Sequence, residues 1–214
     1  PHHRKPPASR ILIVLGSGGH THEMLSLMRD LDTRLYAQRT YVVSSGDSFS
    51  AQRAVEFERG LEERGGLDGR KNYVGPEYYN IAIIPRARKI HQSLLTTPIS
   101  ALHCLYACFA PLLFIPNTTS SSSTTDLPSL ILANGPATSV ILILASLILR
   151  FFNIRGAESR GMCKTLYVES FARVSSLSLS AKLVGRVVDR LVVQWEGLEG
   201  CCGGRGEFWG VLVA

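Results

Sequence analysis

The stretch Ile11–Thr21, ILIVLGSGGHT, decides the fold. Ile11–Leu15 is a short, β-branched, wholly apolar run that ends in glycine. Such a run suits a strand buried on both faces, as in a parallel sheet. Gly16–His20 then reads as a tight turn, and Thr21–Leu31 as a helix with Met24, Leu27, Met28 and Leu31 on one face. A glycine turn between a buried strand and a helix lets the backbone approach an anion closely. The helix start also offers unpaired amides and the positive end of its dipole. The turn therefore predicts a phosphate or diphosphate site at the C-terminal edge of a sheet. It lacks the G-x-G-x-x-G spacing of dinucleotide binders, and no P-loop lysine follows. A bare turn without ligand is the alternative.

The same alternation continues along the chain. Thr40–Ser44 reads as a second strand, and Ser48–Gly60 as a helix capped by Ser48 or Ser50. Glu62–Tyr73, charged and glycine-rich, reads as a loop. Tyr79–Ile84 is a third strand stopped by Pro85, followed by the basic segment Arg86–His91 and an apolar helix over Ile99–Phe114. Asn117–Asp126, NTTSSSSTTD, is a low-complexity insertion. Ser129–Ala133 and Thr165–Val168 read as strands four and five around a helix over Val140–Leu149. A helix from about Ser180 to Val188 leads to strand six, Leu191–Gln194. This succession predicts an α/β, Rossmann-like, doubly wound parallel sheet. The domain is expected over residues 11–196, after a polar segment 1–10 and before an irregular Gly/Cys-rich tail over 197–214.

Composition narrows the function. The 214 residues are enough for one α/β domain. At 45% hydrophobic and 19% charged, the chain suggests a buried parallel sheet, a surface hidden against a partner or bilayer, or both. Of the net charge of +6, much is scattered arginine rather than one run, which argues against nucleic-acid binding and suits a diphosphate or anionic lipid. The five cysteines are odd in number and form no facing CxxC pairs, so neither a disulfide frame nor a metal site is expected. A reducing compartment fits them. The apolar stretches Ala101–Ile115 and Ala137–Leu149 both fall short of the roughly 20 residues that spanning a bilayer takes.

Two further strand ends carry polar loops: Asn134–Thr138 (NGPAT) after strand four, with Asn134, Gly135 and Thr138 as contacts, and Glu169–Arg173 (ESFAR) after strand five. Three polar loops at one sheet edge predict one crevice. His20, next to the expected anion, is a candidate general base; a capping role is its alternative.

The segments LGSGGHTHEM (Leu15–Met24), IPRARKIHQS (Ile84–Ser93), LANGPATS (Leu132–Ser139), YVESFARVSSLSLSAKL (Tyr167–Leu183), DRLVVQW (Asp189–Trp195) and GVLV (Gly210–Val213) together resemble one family. It is that of the acceptor-side, membrane-anchoring subunit of the endoplasmic-reticulum UDP-N-acetylglucosamine (UDP-GlcNAc) transferase that makes dolichol-linked chitobiose. The resemblance runs in order over nearly the whole chain. It implies the N-terminal half of a split GT-B glycosyltransferase, related to the bacterial enzyme that adds GlcNAc to lipid I. The chain would bind dolichol-diphosphate-GlcNAc and recruit a small catalytic subunit that holds UDP-GlcNAc, with no cofactor. It would be inactive alone, and transfer would invert the anomeric centre. The preceding GlcNAc-phosphate transferase of the pathway is a further implied partner.

Carried onto this sequence, the resemblance puts Gly16, Ser17, Gly18, Gly19 and Thr21 at the acceptor diphosphate, with His20 the candidate base. Arg86 and Arg88 would lie near phosphate or membrane, and Glu169 and Ser170 would face the intersubunit cleft. A solvated basic loop is the alternative for Arg86 and Arg88, and a helix-start cap for Glu169. The C-terminal tail would dock the partner, although the Gly/Cys-rich stretch before Phe208 departs from the family pattern, as does Ala137 where glycine is usual. The family's N-terminal anchor helix is absent before Pro1, so attachment to the cytosolic endoplasmic-reticulum (ER) face is expected from the resemblance alone. Two other readings compete: a pure membrane scaffold without active-site residues, and a self-sufficient nucleotide-sugar enzyme. The latter lacks its expected Tyr-x-x-x-Lys and G-x-G-x-x-G marks.

Overall fold

A computed structural model of the chain describes residues 9–67, 73–88, 97–114 and 127–213. The chain alternates β1 (Arg10–Leu15), α1 (Gly19–Leu27), β2 (Gln38–Ser44), α2 (Ser48–Leu67), β3 (Tyr79–Ile84), α3 (Thr97–Leu113), β4 (Leu130–Asn134), α4 (Ala137–Phe151), β5 (Lys164–Val168), α5 (Leu179–Val184), β6 (Arg190–Val193) and β7 (Gly206–Phe208). All strand pairs are parallel, in the order β3-β2-β1-β4-β5-β6-β7. The order reverses between β1 and β4. In a doubly wound sheet the loops part there, and a crevice opens beyond the strand ends.

Why the first strand reads apolar throughout is plain in the packing. Leu12 and Val14 join a core built with α3, α4 and α5, including Cys104, Cys108, Leu142 and Val184. Ile11, Ile13 and Leu15 join the opposite core, with Met24 and Leu25 of α1, Met28 just after it, and Ala54 of α2. Both faces of β1 are dry, so alternation along the strand serves two cores. The insertion at 117–126 and the segment 1–8 lie outside the described residues.

Four expectations change. The stretch 62–67 is not a loop: α2 runs on through Gly60 to Leu67, because Leu61 is buried and the intervening Glu and Arg are good helix formers. Its cap is neither Ser48 nor Ser50 but Asp47, whose Oδ1 accepts from the Ser50 amide at 3.1 Å. Helix α5 stops at Val184, short of Val188. The tail after Trp195 is not wholly irregular, since Gly206–Phe208 adds a seventh parallel strand beside β6. Gln194 ties the rest down: its Oε1 accepts from the Leu212 amide at 3.1 Å, and Leu212 packs on the α1-side core. Parts of the tail thus pair with and pack on the sheet. Among the described residues, no helix is long and apolar enough to cross a membrane.

Buried charge is fully engaged. Arg39 meets Glu58 in a two-pronged pair, Nε to Oε1 at 2.6 Å and Nη2 to Oε2 at 2.8 Å. Tyr41 adds its hydroxyl to Glu58 Oε1 at 2.7 Å, and Arg39 Nη1 donates to the carbonyls of Tyr36 and Tyr73. Arg10, equally buried, donates to the carbonyls of Pro111 and Leu112 at the last turn of α3 and to Thr40. It serves as that helix's C-terminal cap. Breaking one partner of such a pair strands the other charge in the interior. Glu58→Ala is therefore expected to cost about 3–5 kcal/mol, read as a lowered denaturant midpoint with an unchanged m-value; a loss under about 1 kcal/mol would contradict the burial argument.

Candidate functional site at the sheet switch point

The crevice is built from the loops after β1, β2, β3, β4 and β5, here loops one to five. In the first loop, Gly18 takes φ 65 and ψ −123, open to glycine alone, and stands at the N-cap of α1 with no side chain capping the first amides. No acidic residue occupies the first turn of α1 either. The helix start therefore presents free positive potential to the crevice. Gly16 is required for another reason. A Cβ there would lie 2.9 Å from Pro136 Cγ, so loops one and four touch through a bare backbone.

Ser17, Gly18 and Gly19 are exposed, whereas Thr21 is fully buried. The Thr21 hydroxyl donates back to the Gly16 carbonyl and lies 2.7 Å from Ser50 Oγ. Ser50 also reaches the Gly16 carbonyl, at 3.2 Å, and Asp47 Oδ2, at 2.8 Å. Thr21 thus faces the interior and not the loop surface. It locks the glycine turn to the start of α2.

A cleft of about 150 Å³ is lined by Gly16, Ser17, Ser44, Asp47, Arg86, Arg88, Pro136, Ala137 and Thr138. Arg86 is fixed there by its Nε donating to the Ser45 carbonyl at 3.0 Å. Thr138 pairs with Ser44, hydroxyl to hydroxyl at 3.0 Å, linking loops two and four. Asp47 is the cleft's acid, and both its oxygens are already engaged by Ser50. Two guanidinium groups beside a glycine turn make the cleft a candidate anion site. Larger grooves between α1 and α2 lie away from these loops.

On the far side of Pro136 a second group converges. The His20 ring sits over Gly135, whose φ of 51 and lack of a side chain leave room for it; a methyl group there would run into the imidazole. His20 Nδ1 faces Glu23 Oε2 at 3.7 Å, just outside hydrogen-bond reach. Asn134, 1% exposed, donates from Nδ2 to the His20 carbonyl at 3.1 Å and to Glu23 Oε2 at 3.5 Å. Ser170 donates to Glu23 Oε1 at 2.8 Å. Burial acts to raise the Glu23 pKa, but His20 and Ser170 outweigh it and hold the carboxyl below its ordinary value. Glu23 is the residue sequence reasoning missed. The available signal was its place one helical turn after His20.

Glu169 does not line the cleft. It is 1% exposed, and its two oxygens accept from the amides of Ser170 at 3.0 Å and Ser178 at 2.8 Å. It clamps the 170–178 loop shut at its base, while the Ser178 hydroxyl caps α5. The structure thus joins Gly16, Ser17, Arg86, Arg88 and Thr138 in one cleft, with His20, Asn134, Gly135 and Ser170 beside it.

A family profile described as "Oligosaccharide biosynthesis protein Alg14 like" matches residues 11–212. The chain belongs to this family. Over 227 aligned residues it is 41% identical to the UDP-N-acetylglucosamine transferase subunit alg14 of Aspergillus fumigatus, covering 89% of this chain and 100% of that protein. The corresponding subunit of Cryptococcus neoformans is 39% identical over 183 residues, or 86% of this chain and 72% of that one. Among solved structures, MurG of Acinetobacter baumannii superposes with a TM-score of 0.50 at 12% identity. The match takes in 87% of this chain and 41% of MurG, and it is a likeness of fold. The Alg14-like chain is an α/β domain of the GT-B kind.

The contact between Gly135 and His20 gives a direct check on the site's construction. Gly135→Ala is expected to cost about 1–2 kcal/mol for its left-handed backbone alone and to displace the His20 ring. The displacement should appear as shifted imidazole NMR resonances, and unchanged resonances would show that the ring does not rest there.

Proposed function

We propose that this Alg14-like chain is the acceptor-side subunit of a UDP-GlcNAc:GlcNAc-diphosphodolichol transferase, acting in the second step of N-glycan precursor assembly. Two facts support the reading: the names carried by close relatives, and a GT-B half-domain that matches only 41% of the MurG chain. The observation that carries it is the cleft in which Arg86 and Arg88 meet Gly16 and Ser17 at the sheet switch point. The acceptor diphosphate would sit against Ser17, Gly18 and Gly19 and the start of α1, with the guanidinium groups on its outer oxygens.

His20 is the proposed base for the acceptor sugar hydroxyl. That hydroxyl would attack the anomeric carbon of UDP-GlcNAc held by a separate, small catalytic subunit. The partner would dock along the tail, where β7 leaves an open sheet edge and Phe208, Trp209 and Val211 are partly exposed. The pair would work at the cytosolic face of the ER membrane, beside the enzyme that makes its acceptor.

Transfer is expected from the two subunits together and from neither alone. In the reconstituted pair, Arg86→Ala should raise KM for the lipid acceptor about 10–100-fold, the worth of a charge-assisted hydrogen bond, and leave KM for UDP-GlcNAc unchanged. Turnover by the isolated chain would point to a self-sufficient enzyme. An Arg86→Ala pair with unaltered acceptor KM would remove the diphosphate from this cleft.

A further inference from the structure

We infer that Glu23 is the positioning residue that sets the tautomer of His20 and so turns its outer nitrogen toward the acceptor. The inference rests on the reading of His20 as the base. The start of α1, the end of β4 and the loop after β5 converge on this one carboxylate: Ser170 binds Oε1, while Asn134 Nδ2 and His20 Nδ1 both face Oε2. The glutamate is itself largely buried and fixed by these contacts.

His20 Nδ1 is buried and has no hydrogen-bond partner among the described residues, while the side chain as a whole is 37% exposed. The ring's exposure thus lies away from Nδ1. A neutral imidazole carries one proton. With that proton on Nε2, the Nδ1 lone pair would face the carboxylate across 3.7 Å, which is repulsive. With it on Nδ1, the N–H points at Glu23 and the Nε2 lone pair faces outward. Glu23 therefore selects the Nδ1–H form.

The same carboxylate serves the next step. As the acceptor oxygen bonds to the anomeric carbon, its proton passes to His20 Nε2. The bond from that carbon to the β-phosphate oxygen breaks, and its electron pair leaves with UDP. The imidazolium so formed gains its counter-charge in Glu23, with no group needing to move. Glu23 touches no reacting atom; it acts through His20.

The test uses the chain paired with its catalytic subunit, with the histidines ¹⁵N-labelled, and reads imidazole nitrogen shifts beside steady-state kinetics. Glu23→Ala removes the carboxylate that faces Nδ1. The Nδ1–H signature should be lost and kcat should fall roughly 100-fold, with KM for the acceptor unchanged. Glu23→Gln keeps an acceptor but not the charge, so the tautomer should persist while kcat falls about tenfold. A Glu23→Ala pair with wild-type kcat, or one that keeps the Nδ1–H signature, overturns the inference. If Glu23→Ala does not fold, the shape-preserving Glu23→Gln decides it alone, and full kcat overturns the proposal. His20→Ala separates the two levels. If it is inactive while Glu23→Ala is not, Glu23 loses its role and the base stands. If it turns over like wild type, base and positioning residue fail together.

Discussion

The approach of Gly16 to Pro136 is the contact on which the crevice depends. Strands β1 and β4 are neighbours at the reversal of strand order, so the loops after them must part to open a site. Here they part only after touching, at a glycine whose missing side chain lets proline sit against the backbone. Either side of that contact, the space divides. Toward β2 and β3 it becomes the arginine-lined cleft; toward β5 it becomes the His20–Glu23 cluster. The arginine-lined cleft and the histidine cluster thus lie next to each other, divided by that contact. A diphosphate at one side would place its attached sugar toward the other. Thr21 and Ser50 hold the arrangement from beneath by gripping the Gly16 carbonyl.

Much of the fold was legible because the sheet is parallel and its central strands are buried on both faces. ILIVL, TYVVS and YNIAII are apolar runs ended by glycine, serine or proline, and each is a strand of the central sheet. What stayed hidden depended on contacts distant in sequence. The three residues of β7 carry no alternation of their own and become a strand only by pairing with β6. Helix α2 runs past Gly60 because Leu61 finds the core, which a charged, glycine-bearing stretch does not announce. Asp47 could not be told from its serine neighbours as a cap without the geometry of the turn.

The candidate site was legible in its loops rather than in its side-chain roles. The glycine turn and the basic segment after β3 were each visible, and folding puts them in one cleft. Thr21 and Glu169 sit in the right loops but turn inward, where buried backbone groups need a partner. A polar residue beside a site has two possible duties, and sequence does not distinguish holding the loop from touching the ligand. Glu23 shows the reverse: unremarkable as a helix residue, it gathers Ser170, Asn134 and His20. In the proposed pairing, a domain that carries the acceptor loops and a base would have reason to be rigid here, since its partner would bring the nucleotide sugar to a fixed point.

The account stands or falls on where the acceptor's diphosphate rests. A structure of the paired subunits with a short-chain lipid diphosphate-GlcNAc would locate it directly. The account predicts phosphate oxygens within hydrogen-bond distance of the Ser17–Gly19 amides and of Arg86, with the sugar hydroxyl at the His20 ring. A diphosphate held elsewhere, with the glycine turn empty beside it, would contradict it.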